Sequence, residues 1–87
     1  MTKVKTSSGF EYEIDEENLN DMRLLDLVAE ISNGDTTKLP IMISMVLGDQ
    51  KEKLYKNLED EKGRVPIQKA DNEITEIFTL VKTGKNS

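Results

Sequence analysis

Nine consecutive residues, Leu39-Pro40-Ile41-Met42-Ile43-Ser44-Met45-Val46-Leu47, carry no charge in a chain whose 87 residues are 33% charged. A helix over this run is apolar nearly all the way round. Such a helix either lies at the centre of a core or presses against a partner. Asp35 or Thr36 is placed to cap it, Pro40 falls within its first turns, and Gly48 is suited to end it. The rest of the chain must be arranged to cover it.

Three further helices are available to do so. Leu24, Leu25, Leu27, Val28 and Ile31 form an apolar stripe at helical spacing. Asn20 is placed to cap that helix, Asp21 favours its first turn, and Asn33-Gly34-Asp35 closes it. Asp49-Gln50-Lys51-Glu52 has capping-box spacing ahead of a helix bearing Leu54, Tyr55 and Leu58, which Gly63 breaks. After Arg64-Val65-Pro66, the residues Ile67, Ala70, Ile74, Ile77, Phe78 and Val81 give the cleanest helical periodicity in the chain, with Pro66 suited to a first helical position. Ahead of all these, residues 3–14 predict a β-hairpin. Phe10, Tyr12 and Ile14 alternate with Glu11 and Glu13, and Ser7-Ser8-Gly9 supplies the turn.

The expected fold is therefore mainly α: one domain over residues 1–87, with a hairpin at 3–14, about four helices over 20–82, and a polar, flexible tail at 83–87. A domain of this size buries only about 60–65% of its unfolded surface, so self-association or a partner is expected to add stability. The core must rest on Leu, Ile, Val and Met, because Phe10, Tyr12, Tyr55 and Phe78 are the only aromatics.

Composition excludes more functions than it supports. Cysteine and histidine are both absent. That removes disulfides, thiolate zinc sites, a cysteine nucleophile, and the commonest general base and metal ligand. An intracellular setting is expected of a small domain without disulfides. No stretch approaches the roughly 20 apolar residues of a membrane span, and the N-terminus lacks the apolar core of a signal peptide. The net charge of −5 disfavours nucleic acid as a partner.

Candidate chemical sites fail one by one. An EF-hand register with Gly63 at the loop glycine would put Leu58 and Lys69 at ligand positions, and neither binds calcium. Glu11, Glu13, Asp15, Glu16, Glu17 and Asp21 form an acidic stretch without lysine or arginine; a basic partner or a divalent ion is one reading, a solvated face the simpler one. Ser7, Ser8, Ser32, Ser44 and Ser87 have no histidine to activate them. Lys51, Lys53 and Lys56 are interleaved with Glu52 and Glu59, as on a solvated helix face. No catalytic, cofactor or metal site is expected, and the chain is read as no enzyme. What remains is protein binding. Met22, Met42 and Met45 suit either a core or an adaptable surface. The candidate binding residues are Leu39, Met42, Met45, Val46, Leu54 and Tyr55.

An ordered series across the second half carries a family likeness: Leu47-Gly48-Asp49-Gln50, Leu54-Tyr55-Lys56-Asn57-Leu58, Gly63-Arg64-Val65-Pro66-Ile67, Glu73-Ile74-Thr75-Glu76-Ile77-Phe78 and Lys85-Asn86-Ser87, with Asn20-Asp21-Met22-Arg23 ahead of it. The series, over about residues 10–87, resembles the short tail assembly chaperones of long-tailed bacteriophages. The resemblance rests on the order of the pieces rather than on any one motif. It implies a non-enzymatic protein that holds the long, aggregation-prone tape-measure protein in solution in the cytoplasm of the bacterial host while the tail tube assembles, and that is absent from the mature virion. It also implies a longer, frameshifted form that recruits the tube protein. Gly84-Lys85-Asn86 is encodable as GGA AAA AAC, which contains the slippery run A AAA AAC. A −1 frameshift is expected there, and codons that interrupt the run would remove it. The competing expectations are an acidic inhibitor of a host protein and a permanent head–tail virion component.

Overall fold

The computed structural model describes residues 1–83, so Gly84–Ser87, with the proposed frameshift site and most of the expected tail, lie outside the described residues. Strands β1 (Thr2–Lys5) and β2 (Glu11–Ile14) form an antiparallel hairpin, followed by helices α1 (Met22–Ser32), α2 (Leu39–Leu47), α3 (Lys51–Leu58) and α4 (Ile67–Thr83). Short 3-10 turns at Glu16–Leu19, Thr36–Lys38 and Gly48–Gln50 lead into α1, α2 and α3. The fold is thus mainly helical with an N-terminal hairpin.

α2 is the centre. It contacts α1, α3, α4 and β2, and its Leu39, Met42, Ile43, Val46 and Leu47 are all buried. An uncharged helix needs cover on most of its circumference, and the chain supplies it from both sides. α1 contributes Leu24 and Leu27, α3 contributes Leu54 and Leu58, and α4 contributes Ala70, Ile74 and Ile77. The hairpin closes the remaining side with Val4, Tyr12 and Ile14, none more than 1% exposed. Two short strands would be marginal in water alone, so this apolar face is what holds them. Their outer face pairs Lys3 with Glu13 and Lys5 with Glu11, opposite charges directly across the ladder.

Local chemistry sets the helix ends. Asp21, not Asn20, caps α1, accepting from the Arg23 N–H at 2.9 Å. Both are competent caps, but Asn20 closes the preceding 3-10 turn with its N–H on the Glu17 carbonyl. At the other end the Gly34 N–H donates to Ile31 and the Asp35 N–H to Glu30, with Gly34 at φ 100°. This is the Schellman arrangement, and it needs a residue tolerant of positive φ. Asp35 caps the Thr36–Lys38 turn that runs directly into α2.

Two further expectations at helix starts are corrected. Asp49 does not close a capping box: a 3-10 turn occupies Gly48–Gln50, and no side chain caps α3. Gln50 instead turns to the hairpin, where its Oε1 accepts from the Glu13 N–H at 2.9 Å and its Nε2 donates to the Glu13 carbonyl. Pro66 lies one residue ahead of α4, and its carbonyl accepts from the Ala70 N–H at 3.1 Å. Ile67, expected in the apolar stripe, is 64% exposed at the first turn of α4. Leu25 of α1 is likewise exposed.

Candidate functional site

Two features stand out: a buried polar cluster between the hairpin and α4, and an open apolar cleft beside α2. Glu73 is the centre of the first. It is only 3% exposed, and no salt bridge reaches it among the described residues. Three hydroxyls satisfy it instead. Thr6 Oγ1 donates to Oε2 at 2.7 Å, Tyr12 Oη to Oε2 at 3.2 Å, and Ser8 Oγ to Oε1 at 3.0 Å. Tyr12 Oη in turn accepts from Asn57 Nδ2 at 3.1 Å, so α3, α4 and the hairpin share one network. One turn along α4, Glu76 accepts from the Ser7 N–H and Oγ at 2.7 and 2.9 Å. The hairpin turn is thereby clamped to α4 at four points.

Burial pushes the Tyr12 phenol up to about 12. The Asn57 hydrogen bond works the other way, and the neighbouring Glu73 carboxylate adds to the rise. The phenol therefore stays protonated and donating through the neutral range. The Lys53 ammonium lies 5.3 Å from the centre of the Tyr12 ring and covers it from solvent. With every buried side-chain polar atom among the described residues partnered, this cluster acts as a structural clamp. Among the described residues no group of three or more acidic, histidine or cysteine side chains is arranged to hold a metal.

The cleft is of a different kind. Thr36, Thr37, Leu39, Pro40 and Ile43 form one wall, and Tyr55, Val65, Ile67 and Ala70 the other. Among the described residues no charged side chain lines it. The wall from 65 to 70 is held by the loop before α4: Asp60 Oδ1 accepts from the Lys62 and Arg64 N–H groups at 2.8 and 2.9 Å, and the Asp60 N–H donates to the Arg64 carbonyl at 2.8 Å. These N–H groups, Arg64 first, hold the Asp60 carboxyl below the usual carboxylate range. Gly63 turns the loop at φ 78°. At about 220 Å³ the cleft is smaller than the roughly 300–1,000 Å³ of a small-molecule pocket, but large enough for one or two apolar side chains.

The outward face of α2 adjoins it. Pro40, which lines the cleft, Ile41 and Ser44 are exposed, and Met45 is half-buried. The six candidate residues divide accordingly. Met42, Val46 and Leu54 are enclosed in the core, and Leu39 is buried with one edge on the cleft. Tyr55 forms a cleft wall and Met45 lies half-open. Residues that the periodicity did not single out for binding, Ile41 and Ile67, are 50% and 64% exposed. Their signal was present in the sequence as apolar residues at the edge of an otherwise full stripe.

Comparison with known proteins finds no matching family model, no matching curated protein and no matching solved structure. No described helix is long and apolar enough to cross a membrane.

Proposed function

We propose that the domain is a non-enzymatic tail assembly chaperone, which binds the tape-measure protein of a long-tailed phage in the host cytoplasm and leaves before the virion matures. The observation that carries this reading is the uncharged cleft between α2 and α4, continuous through Pro40 with the uncharged outer face of α2. The ordered sequence series resembling that chaperone family directs the reading to this partner. An open apolar cleft fits side chains offered by another protein's helix. The carboxylates elsewhere keep the loaded complex hydrated. Recruitment of the tube protein belongs, in this reading, to a longer form made by frameshifting near Gly84-Lys85-Asn86. Co-expression with the tape-measure protein tests the reading. The tape measure is expected in the soluble fraction, co-purifying with the domain; a tape measure that stays insoluble overturns it.

A second reading, an acidic module that binds a basic host protein, draws on one observation. Residues 11–30 hold eight carboxylates and one arginine. That surface would bind with a steep salt dependence, whereas apolar docking is nearly insensitive to salt.

A further inference from the structure

Asn33-Gly34 is the single place in the chain where asparagine precedes glycine; the other asparagines precede Leu19, Asp21, Leu58, Glu73 or Ser87. The pair is reactive on chemical grounds. A backbone nitrogen that carries no neighbouring side chain, in a segment free to turn, can reach the carbonyl carbon of the preceding side-chain amide. Both residues are exposed, and open space surrounds the Gly34 α-carbon. Water has free access to the pair.

The fold holds it back. Asn33 has ψ 8°, so the Gly34 nitrogen nearly eclipses the nitrogen of Asn33 itself. Closing a five-membered ring requires it to eclipse Cβ instead. Backbone bonds on both sides fix the unreactive turn. The Asn33 N–H donates to the Ala29 carbonyl at 3.1 Å, the Gly34 N–H to Ile31 at 2.9 Å, and the Asp35 N–H to Glu30 at 3.0 Å. Beyond them Asp35 caps the Thr36–Lys38 turn, and Lys38 pairs with Glu30 at 3.4 Å. Rotation about ψ of Asn33 swings the chain that follows, so the reactive geometry needs the corner between α1 and α2 to open. Helix ends and surface turns open at low cost while the core stays closed.

We infer that Asn33 is a site of spontaneous deamidation, gated by local opening of the α1–α2 corner, and that its isoaspartyl product cannot rebuild that corner. The inference is independent of the proposed function. In the opened chain the Gly34 nitrogen attacks Asn33 Cγ. The N–Cγ bond forms, the Cγ–Nδ2 bond breaks, and Nδ2 leaves as ammonia with the proton of the Gly34 N–H. Water then adds to one of the two imide carbonyls. Addition at Cγ gives aspartate. Addition at the main-chain carbonyl gives isoaspartate, whose chain runs through Cβ and Cγ and is one methylene longer. That methylene falls inside both the Gly34–Ile31 and the Asp35–Glu30 bonds. The new carboxylate stands at the C-terminal end of α1, where the helix dipole disfavours it. The corner leads into Thr36 and Thr37, one end of the cleft wall, so the change reaches that surface without touching the core.

Isoaspartate-specific peptide mapping of the full chain, aged in warm, mildly alkaline buffer, tests this. A synthetic peptide of residues 28–38, too short to hold a helix in water, supplies the ungated rate. Aspartate and isoaspartate are expected at Asn33, at a rate about ten- to a hundredfold below that of the peptide. Asp35→Ala uncaps the following turn and is expected to narrow this gap about two- to tenfold, measured against a peptide with the same change. The isoaspartyl form, separated by its extra charge, is expected to exchange its Gly34, Asp35 and Lys38 amides at least about tenfold faster than wild type, with Leu24 and Ile74 unchanged. Asn33→Asp, with the same charge on a normal backbone, is expected to exchange nearly as wild type. Reaction of the folded chain at the peptide's rate, no product at Asn33 after many peptide half-lives, or a gap that Asp35→Ala leaves unchanged overturns the gated site. An isoaspartyl form that exchanges as wild type overturns the loss of the corner.

Discussion

Thr6 and Glu73 are separated by 67 residues, and Thr6 Oγ1 donates to Glu73 Oε2 at 2.7 Å inside the domain. The bond closes the chain's first turn onto its last helix. A buried carboxylate without a cation is costly unless its lone pairs are filled, and here Thr6, Ser8 and Tyr12 fill them. Glu73→Ala removes the acceptor and strands the buried hydroxyls. It is expected to cost about 2–4 kcal/mol by urea denaturation. Glu73→Gln keeps one acceptor oxygen and is expected to cost less than Glu73→Ala.

Tyr12 gives the same network a pH dependence. Its phenol titrates near 10 in the unfolded chain and is raised to about 12 in the fold. Between these values the unfolded state binds fewer protons, so stability falls as pH rises. The contribution is complete below about pH 10 and lost by about pH 12. Urea midpoints measured across this range are expected to fall for the wild-type chain. The fall should be shallower for Tyr12→Phe, which has no phenol to titrate and is less stable at neutral pH by about 1–2 kcal/mol.

The Asp60 loop supports one wall of the cleft without lying in it. Gly63 holds φ 78°, so Gly63→Ala is expected to cost about 1 kcal/mol through backbone strain alone, since open space surrounds the position. The Asp60 carboxyl is lowered from its usual 3.8 by the Arg64 and Lys62 N–H groups. Its stabilising effect is therefore present above about pH 4 and disappears as pH falls through the lowered value. Asp60→Ala is expected to reduce thermal stability at pH 7 and to show less loss than wild type on acidification.

Two isoleucines of α4 separate folding from binding. Ile74 is fully buried and Ile67 is 64% exposed. Ile74→Ala is expected to cost about 2–5 kcal/mol. Ile67→Asp is expected to change stability by less than about 0.5 kcal/mol and to abolish tape-measure solubilisation on co-expression. Circular dichroism of both variants checks the first half, and the soluble fraction checks the second.

The architecture was legible because its determinants are local. Gly9, Gly34 and Gly63 punctuate the chain where positive φ is required, and the alternation of Tyr12 and Ile14 with Glu11 and Glu13 marks a strand with one buried face. The uncharged run at 39–47 indicated the central helix for the same reason. What escaped was nonlocal. Asp49 does not close its expected capping box because a 3-10 turn takes up Gly48–Gln50, and Gln50 within that turn bonds the Glu13 backbone, a fact of tertiary geometry. Glu73 occupies the inward stripe of α4, at i+3 from Ala70 and one residue before Ile74. A carboxylate there breaks the apolar pattern, but the hydroxyls that satisfy it come from residues 6, 8 and 12. The cleft was half legible. The sequence marks Leu39 and Tyr55 as candidates, yet its stripe places Ile67 in the core, because periodicity gives the face of a helix and not how far along its length that face is covered.

The most direct measurement is hydrogen–deuterium exchange on the co-purified complex of this domain with the tape-measure protein, compared with the free domain. Protection is expected at residues 36–45, around Tyr55, and at 64–70, the segments that wall the cleft and form the outer face of α2. Protection confined to the acidic residues 11–30, with the cleft segments exchanging as in the free domain, would contradict it.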